Sequence, residues 1–199
     1  MAGTGAAEQV VRRSRFLAHA APVEDDGGAL RAFVAAVRAA HRDARHVVYA
    51  WRGADGRSRT ADDGEPRGTG GRRCLEALER AGAVGAAVAV ARVFGGTLLG
   101  VGGLGRAYFD AAAAAVAAAG LRPLVRVRRV TVTCDFADEA SVARALGGAG
   151  VVWARTYAAG GVELAGEVED AAVAALAAAV AAASGGRAHL RTMGEARWR

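Results

Sequence analysis

The chain has no lysine: all 26 of its basic side chains are arginines, set against 20 acids. A Walker A loop, which needs its lysine, is therefore excluded. The cysteines are Cys74 and Cys134 alone. They lie far apart with no CxxC, which argues against a disulfide scaffold, a cysteine zinc site and a dithiol redox motif, and both read as free core thiols. The longest apolar run, Ala171 to Ala183, falls short of the ~18 residues that a membrane-spanning helix requires. In the first segment, Glu8, Arg12, Arg13 and Arg15 interrupt the stretch that a secretory leader would keep apolar. The expectation is a cytoplasmic protein with no membrane segment. A nucleophile elbow and a Ser/His/Asp arrangement are also missing.

What remains is ample for a packed protein: 199 residues, 53% hydrophobic, 28 of them glycine, with a formal charge of +6. Alanine, glycine and arginine are all abundant, as in a proteome whose codons are rich in G and C. Their bare counts therefore carry little functional weight. The charge is mild and spread over both halves of the chain, so it permits a polyanionic partner without requiring one.

Ala7 to Val23 reads as one or two strands ending at Pro22. Glu24, Asp25 and Asp26 then supply acids for the first turn of a helix in which Leu30, Phe33, Val34 and Val37 fall on one stripe. His46 to Arg52 alternates as a strand does, and a loop rich in Gly, Asp and Arg is expected from Gly53 to Gly71. Cys74, Leu75 and Leu78 mark a second helix ending at Gly82. Ala86 to Phe94 is apolar on both alternating sets until Arg92, the pattern of a strand covered on both faces. A glycine-rich connection, Gly95 to Gly105, leads into an alanine-rich helix, Arg106 to Ala119. Gly120 and Pro123 stop that helix and open an interdomain junction running to Arg129.

The remainder alternates strand and helix signals in the order βαββαβ, a ferredoxin-like split unit. Its strands are Val130 to Phe136, Val151 to Tyr157, Val162 to Val168 and Ala188 to Trp198; one helix carries Val142 and Leu146, the other Val173, Leu176 and Val180. The fold class is thus α+β in two domains, residues 1–121 and 122–199.

Two stretches carry candidate chemistry. In Asp62-Asp63-Gly64-Glu65-Pro66-Arg67-Gly68-Thr69-Gly70-Gly71, three carboxylates near His46 suit a general acid/base pair or a weak Mg²⁺ or Ca²⁺ site. On the structural reading they instead cap the backbone of the following helix. His41 and His46 lack the i, i+4 spacing of helical zinc ligands, so no transition metal is expected. In Arg92 to Tyr108, Gly100, Gly102 and Gly105 satisfy G-x-G-x-x-G. No acid follows ~20 residues on, as a dinucleotide fingerprint requires. An anion site built from Arg92, Gly95, Gly96, Gly100, Gly102, Gly103 and Arg106 is the alternative to simple close packing. Arg92, ending an apolar strand, needs either that anion or an internal acid among Asp62, Asp63 and Glu65.

HRDARHVVYAWR at His41 to Arg52, DDGEPRGTGG at Asp62 to Gly71 and FGGTLLGVGGLGRAY at Phe94 to Tyr108, in this order and spacing, closely resemble the IMPACT family. The whole chain is similar to its bacterial two-domain members of the YigZ type. It departs from the pattern at Gly70, where alanine is usual, at Arg73, where proline is usual, and at Val93, where an aromatic residue usually precedes Phe94. The resemblance implies an N-terminal α/β domain like the second domain of small-subunit ribosomal protein five. It implies a C-terminal domain like the last domain of elongation factor G. It also implies a regulatory or binding role in translation and stress, with RNA, the ribosome or a translation-linked protein as partner and no cofactor. The competing expectation is a hydrolase using His46, Asp62, Asp63 and Glu65. The oligomeric state is left open.

Overall fold

The computed structural model describes Met1–Arg199 and divides into two compact units, Met1–Arg122 and Pro123–Arg199. Each unit carries its own sheet, and five α-helices are shared between them, so the architecture is a mixed α+β one. No helix is long and apolar enough to cross a membrane.

In the first unit, β1 (Gly5–Val11), β2 (Ser14–Pro22), β3 (His46–Arg52), β4 (Ser58–Ala61) and β5 (Ala86–Val93) form one sheet in the order β1-β2-β5-β3-β4, antiparallel at every pairing. Helix α1 (Gly28–Ala40) covers one face with Leu30, Phe33, Val34 and Val37. Helices α2 (Gly71–Arg80) and α3 (Gly100–Ala119) cover the other, packing Cys74, Leu78 and Tyr108 against Phe16, Val48, Val88 and Val90. Strand β5 is central and sandwiched, which explains its doubly apolar pattern: Ala86 through Arg92 are all buried.

Three local expectations are corrected. The acids before α1 lie outside its first turn. Asp25 instead accepts from the Gly27 N–H at 2.7 Å, and Asp26 takes the arginines Arg57 and Arg59. The segment read wholly as loop contains β4, a four-residue edge strand with three exposed residues, whose lack of apolar alternation hid it. Helix α3 begins at Gly100, six residues before Arg106, so Gly100, Gly102, Gly103 and Gly105 are helical rather than part of a linker.

The second unit runs β6 (Arg126–Cys134), α4 (Glu139–Gly147), β7 (Ala154–Ala158), β8 (Gly161–Glu169), a short 3-10 turn, α5 (Val173–Ala183) and β9 (His189–Trp198). Its strand order, β7-β8-β6-β9, with the two helices packed on Val130, Val132, Val162 and Leu164, is the ferredoxin-like split arrangement. Phe136 lies past the end of β6 and is exposed, and β7 starts at Ala154 rather than Val151. Cys74 and Cys134 are both free and buried, and burial pushes both thiols up, away from reactive thiolates.

Candidate functional site

The antiparallel connections of the first unit bring one set of loops to one end of its sheet. These are the Arg12-Arg13 turn between β1 and β2, the α1–β3 link through Arg42 and Arg45, the Asp62–Gly70 loop before α2, and Phe94–Leu99 before α3. The N-termini of α2 and α3 therefore face this same end. The chain's non-glycine residues with positive φ, Arg12, Arg13 and Asp63, all lie here too.

Each acid of the Asp62–Glu65 loop has its own structural partner. Asp62 accepts three backbone N–H groups: Gly68 at 2.8 Å on one oxygen, Gly70 at 3.0 Å and Gly71 at 2.8 Å on the other. It thereby folds the loop and supplies the helix cap that Gly70, without a side chain, cannot. Asp63 accepts the Val47 N–H at 2.7 Å and the Arg38 guanidinium at 2.8 Å. Burial pushes its carboxyl upward, but those two donors outweigh it and the net shift is down. The Asp63 carbonyl meets His46 Nδ1 at 2.7 Å. A carbonyl only accepts, so Nδ1 is the donating nitrogen of this ring.

Glu65 sits deepest, with a side chain 3% exposed against Arg92 at 8%. One Arg92 terminal nitrogen reaches both carboxylate oxygens, at 2.8 and 3.1 Å, while Tyr108 donates its hydroxyl at 2.6 Å. Burial first, and then the Glu65 carboxylate, raise the Tyr108 phenol and keep it protonated. Phe16 stands edge-on to Tyr108 at 5.0 Å, and the Arg92 guanidinium lies 5.6 Å from the Phe16 ring and 5.4 Å from Phe94. Arg92 Nε is buried without a partner. Of the two roles open to Arg92, the internal ion pair is the one its geometry displays.

The carboxylates thus diverge. His46 bonds to a backbone carbonyl rather than to any of them, and no cluster of three or more His, Cys, Asp or Glu side chains could hold a metal ion. His41 lies instead against His19, Nε2 to Nε2 at 2.7 Å, a pair absent from the sequence argument because 22 residues separate its members. Burial and then the His41 charge lower the His19 pKa.

The glycine-rich stretch divides by role. A β-carbon on Gly95 would lie 2.0 Å from the Arg13 carbonyl carbon, so this glycine is demanded by close packing of the chain on the β1–β2 turn. Gly96 and Gly100 have φ of +84° and +68°, which glycine adopts without strain. Around Gly102 a β-carbon would meet nothing, and around Gly103 only the Leu99 side chain at 3.6 Å. These two are exposed in the first turn of α3, which has no side-chain cap and no acid. Arg106 is exposed one turn on and pairs with no carboxylate; Arg12, Arg13, Arg42, Arg45 and Arg67 are likewise exposed and unpaired at this end.

The family departures also find places. A β-carbon at Gly70 would come within 2.6 Å of Val48 Cγ1, so Val48 here occupies the room of an alanine. Arg73 pairs with Glu76 at 2.9 Å. Val93 points to the α1 face with Leu17 and Val37, opposite to Arg92, so an aromatic ring at 93 would extend that core rather than stack beside the guanidinium.

The fold and the site define a two-unit α+β protein. Its first unit locks a buried carboxylate, guanidinium and phenol beneath an exposed glycine- and arginine-rich end. Residues 12–116, more than half of the chain, match the Impact N-terminal domain, and the chain belongs to that family. It is 47% identical over 118 residues to the IMPACT family member in pol 5'region of Thermus thermophilus, across 58% of this chain and 62% of that protein. Against the IMPACT family member YigZ of Escherichia coli (strain K12) it is 46% identical over 105 residues, 49% of this chain and 50% of the relative. The chain spans about half the length of the curated relatives it matches. A crystal structure of a hypothetical protein superposes over 98% of this chain and 96% of its own, with a TM-score of 0.69 and 30% identity.

Proposed function

We propose that the chain is a non-enzymatic cytoplasmic binding protein of the translation machinery that grips an anionic partner at the loop end of its N-terminal unit. The contact is assigned to the backbone around Gly96, Gly100, Gly102 and Gly103 and to Arg106, with the Gly95 N–H held internally by Ser14 Oγ and Arg92 bracing the loop from beneath through Glu65 rather than touching the partner. One observation carries this reading: the glycines at 102 and 103 stand exposed in an uncapped helix start with room for a side chain, among arginines that have no internal acid. Glycine in a helix costs about 0.5–1 kcal/mol relative to alanine. With no neighbour inside the molecule to require it, the bare backbone is explained by a partner that approaches from outside.

RNA, the ribosome or a translation-linked protein is the partner on this reading. The similarity of the two units to a ribosomal-protein domain and to the last domain of elongation factor G belongs to the same proposal and rests on family resemblance. The hydrolase alternative gains nothing from the geometry, because Asp62, Asp63 and Glu65 are each held by separate partners. The test is co-sedimentation with ribosomes across a salt series. Wild-type protein is expected to bind with a linear fall in log affinity against log salt, and Arg67→Gln/Arg106→Gln to flatten that line while leaving the circular dichroism spectrum unchanged. Binding that ignores both salt and the double substitution refutes the proposal.

A further inference from the structure

The turn between β1 and β2 contradicts its own sequence. Val11 pairs with Ser14, leaving Arg12 and Arg13 as a two-residue hairpin loop with φ of 45° and 67°. Such a turn is favoured by Asn-Gly, and two consecutive arginines in left-handed conformation are strained. The tip is nevertheless fixed in place. Gly95 lies on the Arg13 backbone at a distance that admits no side chain, and its N–H donates to the buried Ser14 hydroxyl at 3.1 Å. Both arginine side chains are exposed and pair with no acid, so no ion pair of theirs offsets the strain.

Phe94, the residue before Gly95, is 48% exposed, although its ring lies against the Arg92 guanidinium whose Nε has no partner. Two glycines follow the ring in sequence: Gly95 packs on the Arg13 backbone, and a β-carbon on Gly96 would meet nothing.

We infer that the Arg12-Arg13 tip and Phe94 form a subsite for single-stranded RNA, in which the two guanidiniums take neighbouring backbone phosphates and the Phe94 ring stacks on a base. The inference rests on the proposed binding role and adds its ligand class and three residues. An exposed aromatic face beside paired cations repeats the alternation of base and phosphate in an unpaired strand. Guanidiniums fit phosphate in a bidentate fashion. Strain retained at an exposed charged tip has the character of a binding position kept against stability. An acidic protein segment, which would draw on the exposed Leu98 and Val101 side chains as well, is the competitor.

The experiment is fluorescence anisotropy of the full chain with a short fluorescein-labelled oligouridine over a potassium chloride series, alongside thermal unfolding. Arg12→Asn/Arg13→Gly gives the turn its preferred residues. It is expected to raise Tm by a few degrees while reducing the salt slope by roughly 0.7 per lost contact, whereas Arg12→Lys/Arg13→Lys keeps the slope. Phe94→Leu is expected to weaken binding about ten-fold with the slope unchanged. If wild-type protein binds oligouridine and Arg12→Asn/Arg13→Gly binds with the same slope, the subsite is wrong and the broader binding role stands. If oligouridine does not bind while poly-glutamate does, the RNA assignment falls and the acidic-protein competitor replaces it. If neither polyanion binds, both the subsite and the anionic-partner role fall.

Discussion

Replacing Glu65 by glutamine removes one charge from a pair in which both partners are almost fully enclosed, the carboxylate 3% and the guanidinium 8% exposed. The size and shape of the side chain hardly change, so packing around Tyr108 and Phe16 is preserved and the electrostatic consequence is isolated. Arg92 then keeps a positive charge with no counter-ion, and its Nε already lacks a hydrogen-bond partner. Breaking one side of a buried pair in this way costs about 3–5 kcal/mol, a fifth or more of the roughly 5–15 kcal/mol stability of an ordinary domain. Removing both charges is milder, because Glu65→Gln/Arg92→Met leaves no buried ion, and the double variant is expected to recover about half of that loss. The assay is a urea titration read by hydrogen exchange at the β5 amides, which report on the N-terminal unit alone, with the four proteins arranged as a double-mutant cycle. A Glu65→Gln loss below about 1 kcal/mol, or a double variant less stable than either single one, refutes the buried-pair account.

Asp62→Ala removes the acceptor of three backbone N–H groups, and a loss of about 2–3 kcal/mol with increased exchange of the Gly68 to Gly71 amides is expected; unchanged exchange there counts against the loop-folding role. The His19 pKa is lowered by burial and by His41 from an ordinary value of 6.5, so the unfolded chain takes up the proton first. The contribution of His19 is complete above about 6.5 and declines as pH falls below it. Tm is accordingly expected to drop as the pH falls below about 6.5, less steeply in His19→Asn, and a Tm that rises on acidification contradicts the assignment.

The sequence determined by itself whatever depends on neighbours along the chain. The stripe of Leu30, Phe33, Val34 and Val37 forms α1, the alternation from His46 to Arg52 forms β3, and the apolar run from Ala86 marks a strand with both faces covered. The βαββαβ order of the second unit was legible for the same reason: burial of one face imposes a period of 3.6 or 2 that needs no knowledge of the partner. Where propensity and packing disagree, the local signal failed. Four glycines in the first two turns concealed the start of α3, and the polar β4 showed no alternation because its residues lie at an exposed edge.

Which acid answers Arg92 was decided only in three dimensions. Asp62, Asp63 and Glu65 are equivalent candidates in sequence. The left-handed backbone at Asp63 and Gly64, together with the three amides that hold Asp62, turns Glu65 alone inward to meet a guanidinium 27 residues away and the Tyr108 hydroxyl 43 residues away. The Arg12-Arg13 turn gave no local signal, since four polar residues, Arg12 to Arg15, separate Val11 from Phe16 and neither turn position is asparagine or glycine. Its position against Gly95, 81 residues beyond Ser14 in the chain, follows from β2 pairing with β5, and such long-range pairing is set by which faces the helices cover rather than by any local pattern.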